Sequence, residues 1–124
     1  MEAIITAKPT NLIYHHKGVT PDSIKELLYG IEEEGIPYTL EERPDEDGLV
    51  LADLASHASA LSVGLSCTKD MVILSFKNLP PELFMYKLRD YRQKPGSLRV
   101  MGTNAARLVK GNPFKKDAQL EVSF

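Results

Sequence analysis

The residues of this chain with the plainest capacity for chemistry are three consecutive carboxylates, Glu32, Glu33 and Glu34, in the string LLYGIEEEGIP. Carboxylate oxygens are hard donors, suited to Mg2+ or Ca2+ and to basic side chains. Thr20 suits a helix cap, Pro21 the first helical position and Asp22 the first turn, while Gly35 and Pro37 mark a stop, so a helix is predicted over 21–34. The glutamates then fill its last turn, where the backbone carbonyls already concentrate negative charge and a carboxylate generally costs about 0.3 to 1 kcal/mol. Ile24, Leu27, Leu28 and Ile31 recur at i, i+3, i+4 and i+7 and define the core-facing stripe. Advancing about 100° per residue from that stripe puts Glu32 and Glu34 on its flanks and Glu33 on the far side, pointing outward. Two readings stay open here: a solvated acidic patch, or a site where a cation or a basic partner relieves the repulsion.

A second string, GTNAARLVKGNPF at 102–114, predicts another helix. Thr103 or Asn104 would cap it, Ala105, Ala106, Leu108 and Val109 supply its apolar side, and Gly111 with Pro113 stops it. Arg107 and Lys110 sit near the negative end, where cations are favoured. Lys110 needs no further explanation, and Arg107 reads as an exposed structural residue that could also reach a partner.

Other reactive residue types fall short of a site. His15 and His16 are adjacent on a predicted strand, so their side chains face opposite sides and cannot share a metal. His57 has no Cys or His at ligand spacing. The acidic run Asp45, Glu46 and Asp47 lacks the alternating ligands and terminal Glu of a calcium loop and reads as a solvated turn. Cys67 lies in the apolar run 63–67 and reads as a buried small residue; one cysteine excludes an internal disulfide.

The elements that must position these residues alternate. A strand at 12–14, the helix at 21–34 and a strand at 36–40 make a βαβ unit. Leu51, Leu54, Ala55, Ala58 and Leu61 recur at helical spacing and return the chain to a strand at 63–67. Thr68, Lys69 and Asp70 are too few for a crossover helix, so the run 71–76 must come back antiparallel. Pro80 and Pro81 open a third helical segment to about Tyr91, and 98–101 forms a fifth strand before the last helix. Right-handed crossovers place helices on both faces, giving a three-layer α/β/α sandwich around a mixed sheet whose fourth strand is reversed.

At 124 residues, 43% hydrophobic and 26% charged, the chain suits one globular domain over 1–124, with 1–10 and 117–124 as unassigned ends. A net charge of −2 with no long basic cluster gives no attraction to nucleic acid or to an anionic membrane. No apolar run approaches about 18 residues and no secretory signal opens the chain, so a soluble cytoplasmic protein is expected. There is no G-x-x-x-x-G-K-[ST] or G-x-G-x-x-G loop and no complete catalytic constellation.

The strings LLYGIEEEGIPY, SVGLSCTKDMVILSFKNLP (62–80) and GTNAARLVKGNPF, in this order and spacing, resemble the small (beta) subunit of the diol or glycerol dehydratase reactivating factor. The resemblance adds a strand order of 2-1-3-4-5 and a core shared with the medium subunit of adenosylcobalamin-dependent dehydratases. It implies a non-catalytic subunit of a molecular chaperone that frees damaged cobalamin from the dehydratase by subunit swapping. ATP hydrolysis would belong to the large (alpha) partner subunit, the dehydratase catalytic subunit would be met during exchange, and no bound cobalamin is expected here. By motif position Glu33 would bind a divalent cation, Mg2+ or Ca2+, at the interface with the large subunit, with Glu32 and Glu34 beside it in that interface. The resemblance leaves the cytoplasm or a bacterial microcompartment as location. It also leaves two other assignments: the cobalamin-binding medium subunit of a dehydratase, and a homo-oligomeric binding module of the same fold.

Overall fold

A computed structural model of the chain describes residues 11–44 and 46–123; the N-terminal end 1–10, Asp45 of the acidic turn and Phe124 lie outside the described residues. Strand β1 (Asn11–His15) pairs in parallel with β2 (Tyr38–Glu42) on one side and β3 (Val63–Cys67) on the other. Strand β4 (Met71–Phe76) runs antiparallel to both β3 and β5 (Tyr86–Arg89), so the sheet order is β2-β1-β3-β4-β5 with only β4 reversed. This is the mixed five-stranded sheet the sequence and its resemblance lead to. Every residue of β3 is buried, as an uninterrupted apolar strand covered on both faces should be.

Helices α1 (Lys25–Glu33) and α3 (Pro95–Lys110) cover one face, over a core that includes Ile13, Leu27, Ile31, Leu65, Leu74 and Met101. Helix α2 (Gly48–Ala58) covers the other, packing Leu51 and Ala55 on Tyr14 and Ala52 on Ile73 and Phe84. Asp47 caps α2 by accepting from the Leu49 amide at 2.8 Å, which gives the one described end of the acidic turn a structural task. The polypeptide after α3 is tied back to the sheet. Lys87 of β5 pairs with Glu121, the Ser123 hydroxyl bridges the Phe84 amide and carbonyl, and Arg89 meets Glu121 at 2.7 Å. The tail so covers an edge strand that would otherwise present unpaired backbone groups.

Four expectations need correction. The helix predicted over 21–34 is a single 3-10 turn, Asp22–Ile24, followed by α1; Thr20 and Ser23 exchange side-chain-to-amide bonds that close this tight turn. The segment predicted as helical up to Tyr91 contains β5 instead, in which Tyr86 and Leu88 alternate toward the core. Residues 98–101 are not a strand but part of α3, which starts at Pro95 in the favoured first position and ends at Gly111 in the left-handed region (φ 72°). Thr103 and Asn104 are consequently mid-helix rather than caps: the Thr103 hydroxyl donates to the Arg99 carbonyl, and the fully buried Asn104 holds both the amide and the carbonyl of Lys115. The fourth concerns α2. Its buried set is Gly48, Leu51, Ala52, Ala55 and Ser56, whereas Leu54 and Ala58 face solvent and Leu61 lies past its end. Gly64 of β3 lets the backbone at Ala55 and Ser56 come so close that these small residues, not Leu54, become the contact.

The tightest approach is between α1 and α3. A β-carbon on Gly102 would collide with the Leu27 carbonyl oxygen, and one on Gly30 with the Arg99 carbonyl oxygen, so the two helix backbones lie directly against each other. Gly102→Ala should therefore force the helices apart and cost about 2 to 3 kcal/mol, as overpacked sites do. Gly96→Ala, where a β-carbon meets nothing within 4 Å, should change stability by less than about 0.5 kcal/mol. Urea unfolding of both variants checks the contrast.

Candidate partner and cation site

The end of α1 is built by a Schellman turn. Gly35 adopts φ 78°, its amide donates to the Glu32 carbonyl at 2.9 Å, and the Ile36 amide donates to the Ile31 carbonyl at 3.4 Å. This halts the helix with Glu32 and Glu33 on its last turn and Glu34 as the C-terminal cap residue. Each carboxylate then takes a different partner. Glu32 accepts from the Tyr38 hydroxyl of β2 at 3.0 Å. Glu34 lies on the opposite flank, where its carboxylate meets Lys110 Nζ at 3.2 Å and Arg107 Nη2 at 3.4 Å; Lys110 also donates to the Glu34 backbone carbonyl.

Glu33 does project away from the core, with 59% of its side chain exposed, yet it is not unaccompanied. Arg99 of α3 grips it with both prongs of its guanidinium, Nε to Oε1 at 3.0 Å and Nη2 to Oε2 at 2.7 Å. The third nitrogen, Nη1, donates to Glu26 Oε1 at 2.8 Å, two helical turns before Glu33, and the guanidinium carbon lies 5.5 Å from the centre of the Tyr29 ring. Bidentate carboxylate pairing of this kind is the strong and geometrically specific form of the contact. The hydrogen bonds from Arg99 hold the Glu33 carboxyl below the usual carboxylate value, and the two glutamates raise Arg99 in turn. Lys110 first and Arg107 second do the same for Glu34.

The acidic string is thus relieved by a basic stripe of its own chain. Arg99, Thr103, Arg107 and Lys110 fall at i, i+4, i+8 and i+11 along α3, one face of a single helix. Arg107 and Lys110 were legible as cations near a helix end, but Arg99, Glu26 and Tyr29 were not picked out. A strand at 98–101 takes Arg99 off that face, and the apolar spacing of Leu98, Met101 and Ala105 is the signal that restores it.

For a cation, the donors on this chain fit only in part. Glu33 offers one exposed hard carboxylate, while among the described residues no group of three or more His, Cys, Asp or Glu is placed to hold a metal ion. Further donors would have to come from another chain. The histidines do not assemble: His15 Nδ1 lies 3.0 Å from the His16 carbonyl, His16 Nε2 lies 2.7 Å from the Glu46 carbonyl, and His57 Nε2 lies 3.4 Å from Asp53. Cys67 is wholly buried and its thiol is pushed up to about 12 by that burial, which leaves no nucleophile at neutral pH. Among the described residues, no helix is long and apolar enough to cross a membrane.

A mixed sheet of this order, flanked by three helices and closed by the paired ends of α1 and α3, defines a class of α/β subunit rather than a chemistry. Residues 8–115 match the sequence profile of the dehydratase medium subunit family. The chain belongs to that family and, within it, to the small subunits of dehydratase-reactivating factors. It is 40% identical over 116 residues to the propanediol dehydratase-reactivating factor small subunit of Citrobacter freundii, covering 94% of this chain and 97% of that one. It is 42% identical over 90 residues to the corresponding subunit of Salmonella typhimurium, covering 73% and 77%. Among solved structures, a diol dehydratase-reactivating factor complexed with ADP and Mg2+ superposes with a TM-score of 0.83 at 37% identity, over 89% of this chain and 100% of that chain. A glycerol dehydratase reactivase superposes with a TM-score of 0.80 at 25% identity, over 87% and 97%.

The lowered Glu34 carboxyl has a defined pH consequence. A group whose folded-state value lies below its unfolded one contributes stability above the ordinary glutamate value near 4.5, and that contribution is lost as pH falls through the lowered folded value. Glu34→Gln should cost about 1 kcal/mol at pH 7, because its pairs with Lys110 and Arg107 are long, at 3.2 and 3.4 Å, and only partly buried. The gap between parent and variant should close as pH drops below 4.5, which thermal unfolding across pH 3 to 7 would read.

Proposed function

We propose that this chain is the small subunit of a chaperone that reactivates an adenosylcobalamin-dependent diol or glycerol dehydratase, working by exchange of places with the dehydratase's medium subunit. The observation that carries the reading is the match, over nearly the full length of both chains, to reactivating-factor small subunits in sequence and in fold. The shared family with dehydratase medium subunits supports the exchange, since a mimic must present a similar fold to a common partner. An exchange proceeds only where the two complexes differ in affinity, so a change of nucleotide state on the large subunit must alter which partner this chain prefers. Nothing in the sequence provides a phosphate-binding loop, and ATP hydrolysis is assigned to the large subunit.

In this reading the end of α1 faces the large subunit. Glu33 provides a hard oxygen to a divalent cation completed by the partner, and Glu32 and Glu34 line the same interface. No step uses cobalamin bound to this chain, and the dehydratase catalytic subunit is contacted only during exchange. The protein would work in the cytoplasm, free or inside a microcompartment. The medium-subunit assignment shares the fold, but the relatives that match over nearly their whole length carry the reactivating role instead.

Co-expression with a reactivase large subunit should yield a co-eluting complex, while the purified chain alone should hydrolyse no ATP. Glu33→Gln should weaken Mg2+-dependent association by at least roughly tenfold, the scale on which even outer-sphere changes act at metal sites. Glu32→Gln, whose carboxylate turns to Tyr38, should do much less. Equal losses for the two variants, or association indifferent to Mg2+, would remove the cation from the account; failure to co-elute would remove the partner.

A further inference from the structure

We propose that Arg99 is the resident counter-ion of Glu33, competing with a divalent cation for that carboxylate and so setting the cation concentration at which the site fills. The inference rests on the reading of Glu33 as a cation ligand and concerns how that ligand is kept in the free chain. Both Glu33 oxygens already accept hydrogen bonds from Arg99, through Nε at 3.0 Å and Nη2 at 2.7 Å. A dication arriving at the same carboxylate meets a fixed positive charge a few ångströms away. Glu26 and Glu33 share one guanidinium, so these three side chains carry a single net negative charge, and Lys115 adds further positive potential at Glu33.

Two features suit Arg99 to giving way rather than blocking the site outright. Its backbone cannot retreat, because its carbonyl lies against Gly30 at the closest contact of α1 and α3, so any release is confined to the side chain. That side chain keeps other partners when Glu33 is taken: Nη1 stays within 2.8 Å of Glu26, and the guanidinium lies near the Tyr29 ring, itself 44% exposed. Handing Glu33 to a cation therefore does not strand the arginine without acceptors. Arg99 acts here as a positioning residue. It holds the carboxylate outward and lowers its appetite for metal until a partner brings the remaining donors.

The test uses the full chain and Mn2+ as the probe, read as paramagnetic broadening of the amide signals of residues 32–36. Arg99→Gln should reach half-broadening at roughly five- to tenfold lower Mn2+, as removal of one nearby charge predicts under solvent screening. Arg99→Lys, which keeps the charge but loses the fork, should fall between parent and Arg99→Gln and serves as the test should the glutamine variant misfold. Adding Glu33→Gln to either should abolish the broadening. An unchanged or raised Mn2+ requirement in the arginine variants overturns the proposal, as does broadening that survives Glu33→Gln. Because this readout needs no large subunit, it separates from the functional reading. A leftward shift in a chain that never binds a large subunit would sink that reading alone, whereas a metal-dependent complex with no such shift would sink the Arg99 proposal alone.

Discussion

The contact on which the rest of this structure depends is the one between the backbones of α1 and α3, where Gly30 and Gly102 admit each other so closely that neither can carry a side chain without displacement. Helices that touch at this distance fix not only the core beneath them but also the side chains along their outer rims. Here the rim of α3 is basic and the end of α1 is acidic. The close approach brings Arg99 onto Glu33 and Glu26, and Arg107 and Lys110 onto Glu34. Three carboxylates at the negative pole of a helix, unfavourable for α1 by itself, become tolerable because α3 delivers cations to two of them and β2 a phenol to the third.

The structure thereby changes the meaning of the acidic string. Considered on one helix, it is either a patch left to solvent or a feature waiting for an outside cation. In the folded chain its charge is largely answered from within, and what remains for a partner is an exposed carboxylate already held in a defined orientation. A pre-oriented ligand loses less freedom on binding, at the expense of a competitor that must be displaced or accommodated. The outer surface of α2 offers a contrast: Val50 and Leu54 are exposed there, beside a single Asp53–His57 contact at 3.4 Å.

Much of the sheet was legible because its signals are local. The unbroken apolar run of β3, the three-residue turn before β4 and the βαβ pattern at the start each follow from residue order alone, and the parallel and reversed pairings agree with them. In the C-terminal third two signals compete. The prolines at 80 and 81 suggested a helix start, yet the alternation of Tyr86 and Leu88 with Lys87 and Arg89 is that of a strand. Leu98 to Met101, rich in residues strands also use, belongs to a helix whose true start is Pro95. For the site, the outward direction of Glu33 followed from helical geometry. Its partner did not, because Arg99 lies 66 residues away and is brought there by packing between two helices.

Hydrogen exchange of the full chain tests most directly the docking surface proposed for the shared rim of α1 and α3. Exchange would be followed alone and with a reactivase large subunit in Mg2+. The amides of residues 32–36, at a solvent-facing helix end, should be strongly protected in the complex, with 110–113 slowed beside them and α2 exchanging as in the free chain. Protection over α2 with no change at 32–36 would contradict the account and move the partner to the opposite face of the sheet.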